Sequence, residues 1–514
     1  MNGADTLLHT LVHAGVTTCF GNPGTSEVHF VKSLDKVPQM RCILALAENV
    51  ATGAADGYAR LSSGTAATLL HCGPGLANGL ANLHNAQKAG SSIVNIVGDQ
   101  AQFHAYRNPP LASETENIAR TVSTWTRRSN ASLSVGVDAA AAISQSRFGG
   151  GAIATLILPS DVCWGPGGPV GTVLEQPRPS QVPELAIASA VDLLKQGHAT
   201  ALILGDDALC GALPQLAAAI AEKTGARVLV HSFIRRVERG RGRPAFERVP
   251  YAVPAAREMF SAINHVVLVG AEQPVFAFAG PDELSGPEQP GTRFVSLGSR
   301  GQDLESALRS VCDRLQCDGR PRAMDADAAT SSPASGQVTS TAFGQSLAAL
   351  LPEDSIVVDE GITFGRSVYS ATHQARRHDW LQLTGGAIGS GMPLATGAAI
   401  AAPHRRVVTL QADGSGLYTV QALWTQARER LNITTIVFAN RKYEILFNEM
   451  RRMGVSPGAS ADYLFALDNP ALDWVQLAQG FGVEAATATS MDQFNDLFTH
   501  TLNHDGPFLI ELRM

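Results

Sequence analysis

Residues 406–440 read RVVTLQADGSGLYTVQALWTQARERLNITTIVFAN. Residues 407–410 form an apolar, β-type run that stops at Ala412-Asp413-Gly414-Ser415. Leu417, Val420, Leu423 and Trp424 follow at the spacing of one helix face, and residues 433–438 are a second β-rich run ending at Asn440. Strand, crossover helix and strand make a βαβ unit, whose strands run parallel with a right-handed crossover. Asp413 and Asn440 then share the carboxyl end of two strands, where open α/β sheets bind ligands. A carboxylate beside an amide oxygen offers hard donors suited to Mg²⁺ or Ca²⁺. Gly414 lets backbone approach a phosphate, and the next helix aims its N-terminus at the same place. The local reading is a metal–diphosphate site.

The same alternation extends along the chain. Apolar strand segments fall at 43–47, 67–70, 93–97 and 154–158, then at 201–204, 228–230 and 266–269, then at 356–358 and 509–512. Two stretches interrupt it: 165–183 is rich in Pro and Gly, and 318–340 is rich in Ala, Ser, Asp and Pro without apolar period. At 514 residues three domains are expected. The predicted fold class is α/β: three doubly wound β/α domains with parallel central sheets, over residues 1–165, 183–318 and 340–514. A net charge of −7 argues against a general nucleic-acid surface. No apolar run is long enough to span a bilayer. The start, MNGADTLLHTLVHAG, reads as an amphipathic helix rather than a signal peptide, so a cytoplasmic protein is expected. Seven cysteines without a CxxC pair indicate neither a disulfide framework nor a zinc site.

The Asp413–Asn440 segment resembles the thiamin diphosphate motif, Gly-Asp-Gly followed by an asparagine pair. Phe20-Gly21-Asn22-Pro23-Gly24-Thr25, Ala45-Leu46-Ala47-Glu48, Ala55-Asp56-Gly57-Tyr58-Ala59-Arg60 and Gly73-Pro74-Gly75 with Asn78 resemble, in order, the pyrimidine-binding domain of the pyruvate oxidase and decarboxylase superfamily. The likeness covers nearly the whole chain and extends to benzoylformate decarboxylases and acetolactate synthase large subunits. It implies thiamin diphosphate and Mg²⁺ as cofactors and a pyrimidine-binding, a middle and a diphosphate-binding domain. The metal ligands it implies are Asp413, Asn440 and the main-chain carbonyl of Lys442. Asn22, Pro23, Asn78, Gly386, Ile388, Gly414 and Ser415 are implied in cofactor binding. Two departures occur: Ala412 replaces the first Gly of the motif and Ala439 its first Asn. The Ala412 methyl falls where the chain turns sharply.

Each candidate has a plainer reading. Glu48 begins a helix, where a carboxylate is favoured by about 0.3–1 kcal/mol through the helix dipole. The resemblance makes it the acid that activates the cofactor's pyrimidine, a role that burial beside an apolar ring would favour. The Gly385–Gly389 loop reads locally as a tight strand–helix connection. By resemblance the Gly386 carbonyl holds the pyrimidine amino group and Ile388 bends the cofactor. His71 reads as a structural histidine, or by resemblance as a proton relay, with Thr25 on the substrate carboxylate. The second relay position falls on Ala279, and residues 275–281 lack a flavin signature, so FAD is not expected. Leu446 and Glu449 are implied in the substrate pocket, where the Glu449 carboxylate would disfavour an anionic substrate tail. Arg235, Arg236, Arg239, Arg241 and Arg243 read as a solvated loop, or as an anion site suited to a coenzyme A thioester.

The expected function is cleavage or formation of the C–C bond beside the carbonyl of a 2-oxo acid. A 2-hydroxyacyl-coenzyme A lyase and a catalytically silent cofactor binder are the alternatives. By the same resemblance the protein is at least a homodimer and expected to be a homotetramer.

Overall fold

The computed structural model describes residues 1–62, 64–280, 284–318 and 332–514. Three parallel sheets carry the chain. The first holds, in spatial order, Arg41–Leu44, Thr18–Gly21, Ala66–Leu70, Ile93–Asp99, Ile153–Pro159 and Trp125–Arg128. The second holds Glu247–Arg248, Arg227–Val230, Thr200–Leu204, His265–Val269 and Arg293–Ser296. The third holds Glu484–Ala488, Phe508–Arg513, Ile433–Ala439, Val407–Ala412, Ser355–Glu360, His378–Gln382 and Val237–Arg239. Near-continuous β-branched runs suit such strands because helices cover both faces.

The seventh strand of the third sheet departs from the parallel pattern. Val237–Arg239 belongs to the middle segment and pairs antiparallel with His378–Gln382. The Arg-rich loop is therefore largely engaged within the fold rather than a freely solvated segment. Arg235 pairs with Asp207, Arg236 with Asp379, and Arg243 with Glu238. Arg239 is buried, 3.7 Å over the Tyr369 ring, and donates to the Tyr369 carbonyl. Burial without a carboxylate partner pulls its guanidinium down to about 10. The loop staples the second sheet to the third.

The first and third sheets are joined by the helices Glu48–Ser62 and Gly391–Ala401. Small residues bring their backbones together: a Cβ on Gly397 would lie 1.8 Å from the Ala54 carbonyl, and one on Gly57 2.0 Å from the Leu394 carbonyl. Phe20, Ile43 and Leu83 of the first third share one apolar core with Ile356, Leu394 and Val437 of the last.

Strand order fixes where ligands meet the sheets. In the first sheet the chain leaves Thr18–Gly21 for a neighbour on one side, then returns to Ala66–Leu70 on the other. In the third it leaves Ser355–Glu360 for His378–Gln382, then returns to Val407–Ala412 on the opposite side. Each return opens a crevice at the carboxyl ends, the switch point at which such sheets bind ligands. Among the described residues no helix is long and apolar enough to cross a membrane.

Candidate active site

Beside the third sheet's switch point, Val407–Ala412 and Ile433–Ala439 pair in parallel as read from the sequence. The intervening helix is broken: a short turn at Asp413–Gly416 precedes the helix Ala422–Arg428. Asp413 is 3 % exposed. Its two oxygens accept the Gly414 N–H at 2.8 Å and the Arg441 N–H at 2.6 Å. Burial pushes its carboxyl pKa up, against those N–H donors. Asn440 Oδ1 accepts the Lys442 N–H at 3.1 Å. Between them Arg441 holds a left-handed φ of 57°, strain of the kind that clusters at functional turns. Ala412 sits at φ −75° and ψ 144°, ordinary extended backbone, so its methyl group imposes no strain. A buried, partly desolvated carboxylate beside an amide oxygen fits a hard divalent cation.

The Gly385–Gly389 loop lies beside this turn and against the first third of the chain. Asn85 bonds Ala387 through both ends of its amide, at 2.7 Å to the carbonyl and 3.2 Å from the N–H. His84 Nε2 lies 3.0 Å from the Gly385 carbonyl. Gly386, at φ 80°, is exposed, which leaves its carbonyl accessible.

At the first sheet's switch point, Glu48 is half-buried, and Asn78 donates to its Oε2 at 2.5 Å. A Cβ on Gly75 would lie 3.0 Å from the Glu48 Oε1, so glycine there keeps space beside the carboxylate. Asn22 is committed to the fold, its amide donating to the Ala45 carbonyl at 2.9 Å. His71 follows the next strand, and its partner was not legible in the sequence. Glu27, 2 % exposed, sits with Oε2 at 2.8 Å from His71 Nδ1. The same oxygen accepts the Gly24 N–H at 2.7 Å, and Oε1 accepts the Ser26 hydroxyl at 2.5 Å. A carboxylate on Nδ1 fixes the proton there and leaves Nε2 to exchange one. The neighbouring hydroxyl that reaches His71 is Ser26, at 3.0 Å, whereas Thr25 is exposed. Cys72 holds φ 54°, and burial pushes its thiol up to about 11.

Models of the thiamine pyrophosphate enzyme N-terminal and C-terminal TPP binding domains match residues 1–113 and 364–512. A Mycobacterium tuberculosis protein provisionally named acetolactate synthase large subunit IlvX is 44% identical over 100% of this chain and 99% of its own length. The chain belongs to the thiamine pyrophosphate enzyme family. Pseudomonas aeruginosa benzoylformate decarboxylase is 27% identical over 97% of the chain and 96% of its own length. The fold matches the Rhodococcus jostii RHA1 thiamine diphosphate-dependent 4-hydroxybenzoylformate decarboxylase with a TM-score of 0.87 at 21% identity, covering 100% of this chain and 99% of that one. This is therefore a thiamin diphosphate-dependent enzyme of the acetolactate synthase and benzoylformate decarboxylase type.

In this family member the helix Glu444–Arg452 packs near the turn Ile362–Gly365. Leu446 is 39% exposed. Glu449 is not a lone negative charge, because Arg452 Nε bonds it at 2.7 Å; its expected repulsion of an anionic tail is correspondingly blunted. Arg366, after the turn, stacks 4.5 Å over Tyr251 of the middle segment. Ala279 is exposed, and Pro281 lies outside the described residues.

Proposed function

We propose that this chain is a Mg²⁺-dependent 2-oxo acid decarboxylase that also forms carbon–carbon bonds. The observation that carries the reading is the Glu27–His71 pair at one switch point, in a chain whose other switch point buries Asp413 beside Asn440. When bound, thiamin diphosphate supplies the electron sink that loss of carbon dioxide requires.

The protein's own groups divide the remaining work. Asp413, the Asn440 side chain and the Lys442 carbonyl hold the Mg²⁺, while Gly414 and Ser415 lie against the diphosphate. The Gly386 carbonyl would hold the pyrimidine amino group, and Ile388 would lie against the cofactor as an apolar support. Asn78 orients Glu48, whose carboxyl would hold or surrender a proton toward the pyrimidine. His71, its Nδ1 proton held by Glu27, would take up a proton at Nε2 and deliver it from there, and Thr25 would meet the substrate carboxylate. Ala279, at the second relay position, has no side chain that could hold or move a proton, which would leave room for a second carbonyl to compete with protonation. Leu446 and the apolar face around it favour an uncharged aliphatic or aromatic donor. The arginines of residues 235–243 engage carboxylates, carbonyls and rings within the fold, which weakens the support for a coenzyme A thioester substrate.

The enzyme works as a cytoplasmic homodimer or homotetramer, with the first switch point of one protomer facing the third-sheet switch point of its partner. Exposed apolar side chains near both halves support this: Val28 50%, Leu46 42% and Trp164 45% on one, Tyr418 55% and Leu464 67% on the other. The test is a panel of 2-oxo acids with thiamin diphosphate and Mg²⁺, following carbon dioxide and resolving aldehyde from hydroxyketone. Carbon dioxide release with both products is expected; none from any 2-oxo acid would refute the proposal.

A further inference from the structure

Glu360 ends the strand Ser355–Glu360 at the third-sheet switch point and is 1% exposed. Its Oε1 accepts the Gly389 N–H at 2.6 Å, and its Oε2 accepts the Gly391 N–H at 2.5 Å. Gln411, at the end of the adjacent strand, donates one amide hydrogen to Glu360 Oε2 at 3.2 Å and the other to Ser415 Oγ at 2.7 Å. The turn is gripped from its other side too. The Gly389 carbonyl accepts the Thr419 hydroxyl at 2.9 Å and the Asn82 amide at 3.2 Å. Gly389 holds φ 92°, and a Cβ on Gly391 would lie 2.9 Å from Glu360 Oε2 and 2.4 Å from Gln411 Oε1. Both glycines are therefore required by the contact.

A buried carboxylate met only by neutral donors is costly, and a glutamine of the same size would avoid that cost. A glutamine, however, accepts on one end only and presents hydrogens on the other. Two converging N–H groups demand acceptors on both oxygens, which only the carboxylate provides.

We propose that Glu360 is a positioning residue: a carboxylate clamp that sets the Gly389–Gly391 turn behind Ile388 and ties it, through Gln411, to Ser415 of the diphosphate turn. The clamp rests on the cofactor placement above. It holds the loops for the two ends of the cofactor in one fixed relation, and it touches neither substrate nor reacting atoms. Burial pushes the Glu360 carboxyl up to about 7, against the Gly389, Gly391 and Gln411 donors that favour its ionised form.

The test compares equilibrium binding of thiamin diphosphate with binding of inorganic pyrophosphate, each with Mg²⁺. Glu360→Gln is expected to lose about tenfold to a hundredfold in thiamin diphosphate affinity, the range for bonds to a charged group. Its pyrophosphate affinity should stay at the wild-type value, and the near-ultraviolet circular dichroism of the bound pyrimidine should change. Gln411→Leu, which cuts the tie to Ser415 but leaves both glycine contacts, should lose less. Equal thiamin diphosphate affinity in Glu360→Gln and wild type overturns the clamp, as does an equal loss on both ligands. If Glu360→Gln does not fold, Glu360→Asp decides by the same two ligands, with a selective loss expected because the shorter arm cannot reach both amides. Wild-type protein that binds no thiamin diphosphate would instead refute the cofactor placement.

Discussion

The two switch points share a topology and differ in chemistry. At the first sheet, side chains meet side chains: Glu27, Ser26 and His71 share three short bonds, and Asn78 grips Glu48. At the third sheet, carboxylates meet backbone: Asp413 takes N–H groups from Gly414 and Arg441, and Glu360 takes them from Gly389 and Gly391. Backbone N–H groups cannot give up their protons, so the second arrangement suits holding a charged ligand still. Imidazole and carboxyl side chains titrate, so the first suits moving protons. On the proposed function, ligand holding and proton chemistry fall to opposite thirds of one chain.

The sharpest way to break this contrast is complementation. Glu48→Gln and Asp413→Ala should each be inactive alone. If sites are shared across a two-fold axis, mixed dimers carry one intact site, and co-expression should restore up to about a quarter of wild-type turnover. No restoration would mean that each chain builds its site alone.

The proton-moving half is probed next. His71→Ala should slow product release by about 10²–10⁴-fold, typical of general acid–base catalysis, and raise the hydroxyketone fraction. Glu27→Gln should do the same more weakly, by about tenfold, and shift the pH profile of turnover, because the tautomer is no longer fixed. An unchanged rate and product ratio in His71→Ala would return His71 to a structural role.

The Arg-rich staple belongs to neither half. Arg239→Ala should cost about 2 kcal/mol or more of stability through its lost ring and carbonyl contacts. Thiamin diphosphate affinity should not move, and coenzyme A should give no thermal shift to the wild type. A specific coenzyme A shift abolished in that variant would revive anion recognition.

Glu360 supplies a pH test of the holding half. Its folded pKa of about 7 stands above the unfolded value of 4.5, so between those values the folded state binds more protons. This group's contribution is therefore fully present below about pH 4.5 and is lost as pH rises towards and through about 7, on the order of 3 kcal/mol. Chemical denaturation of the apoprotein across that range should show the slope in wild type and not in Glu360→Gln. At the helix crossing between the halves, Gly397→Ala should cost about 1–3 kcal/mol or more by overpacking, because its Cβ would meet the Ala54 carbonyl.

Much of this was readable in the sequence because the signal was local. The β-branched runs around Asp413 and Asn440 sit within one βαβ unit, and topology alone places both residues at one sheet edge. Glu27 was missed because a carboxylate in a single short turn carries no periodicity, and its imidazole partner lies 44 residues away. Glu360 closes an ordinary apolar strand, and its partners Gly389 and Gln411 lie 29 and 51 residues on. The Arg-rich loop misled because charge density suggests water; the ring that covers Arg239 belongs to Tyr369, in another domain. The crossover helix breaks at 417–421 although its apolar spacing continues, and within the break the Thr419 hydroxyl donates to the Gly389 carbonyl.

The central claim, holding in one third and proton chemistry in the other, is tested most directly by one paired measurement. Thiamin diphosphate affinity and carbon dioxide release are measured with Mg²⁺ in wild type, Glu48→Gln and Asp413→Ala. Glu48→Gln should bind the cofactor as wild type does and release no carbon dioxide, whereas Asp413→Ala should lose both. Loss of binding in Glu48→Gln, or wild-type binding in Asp413→Ala, would contradict the division of labour.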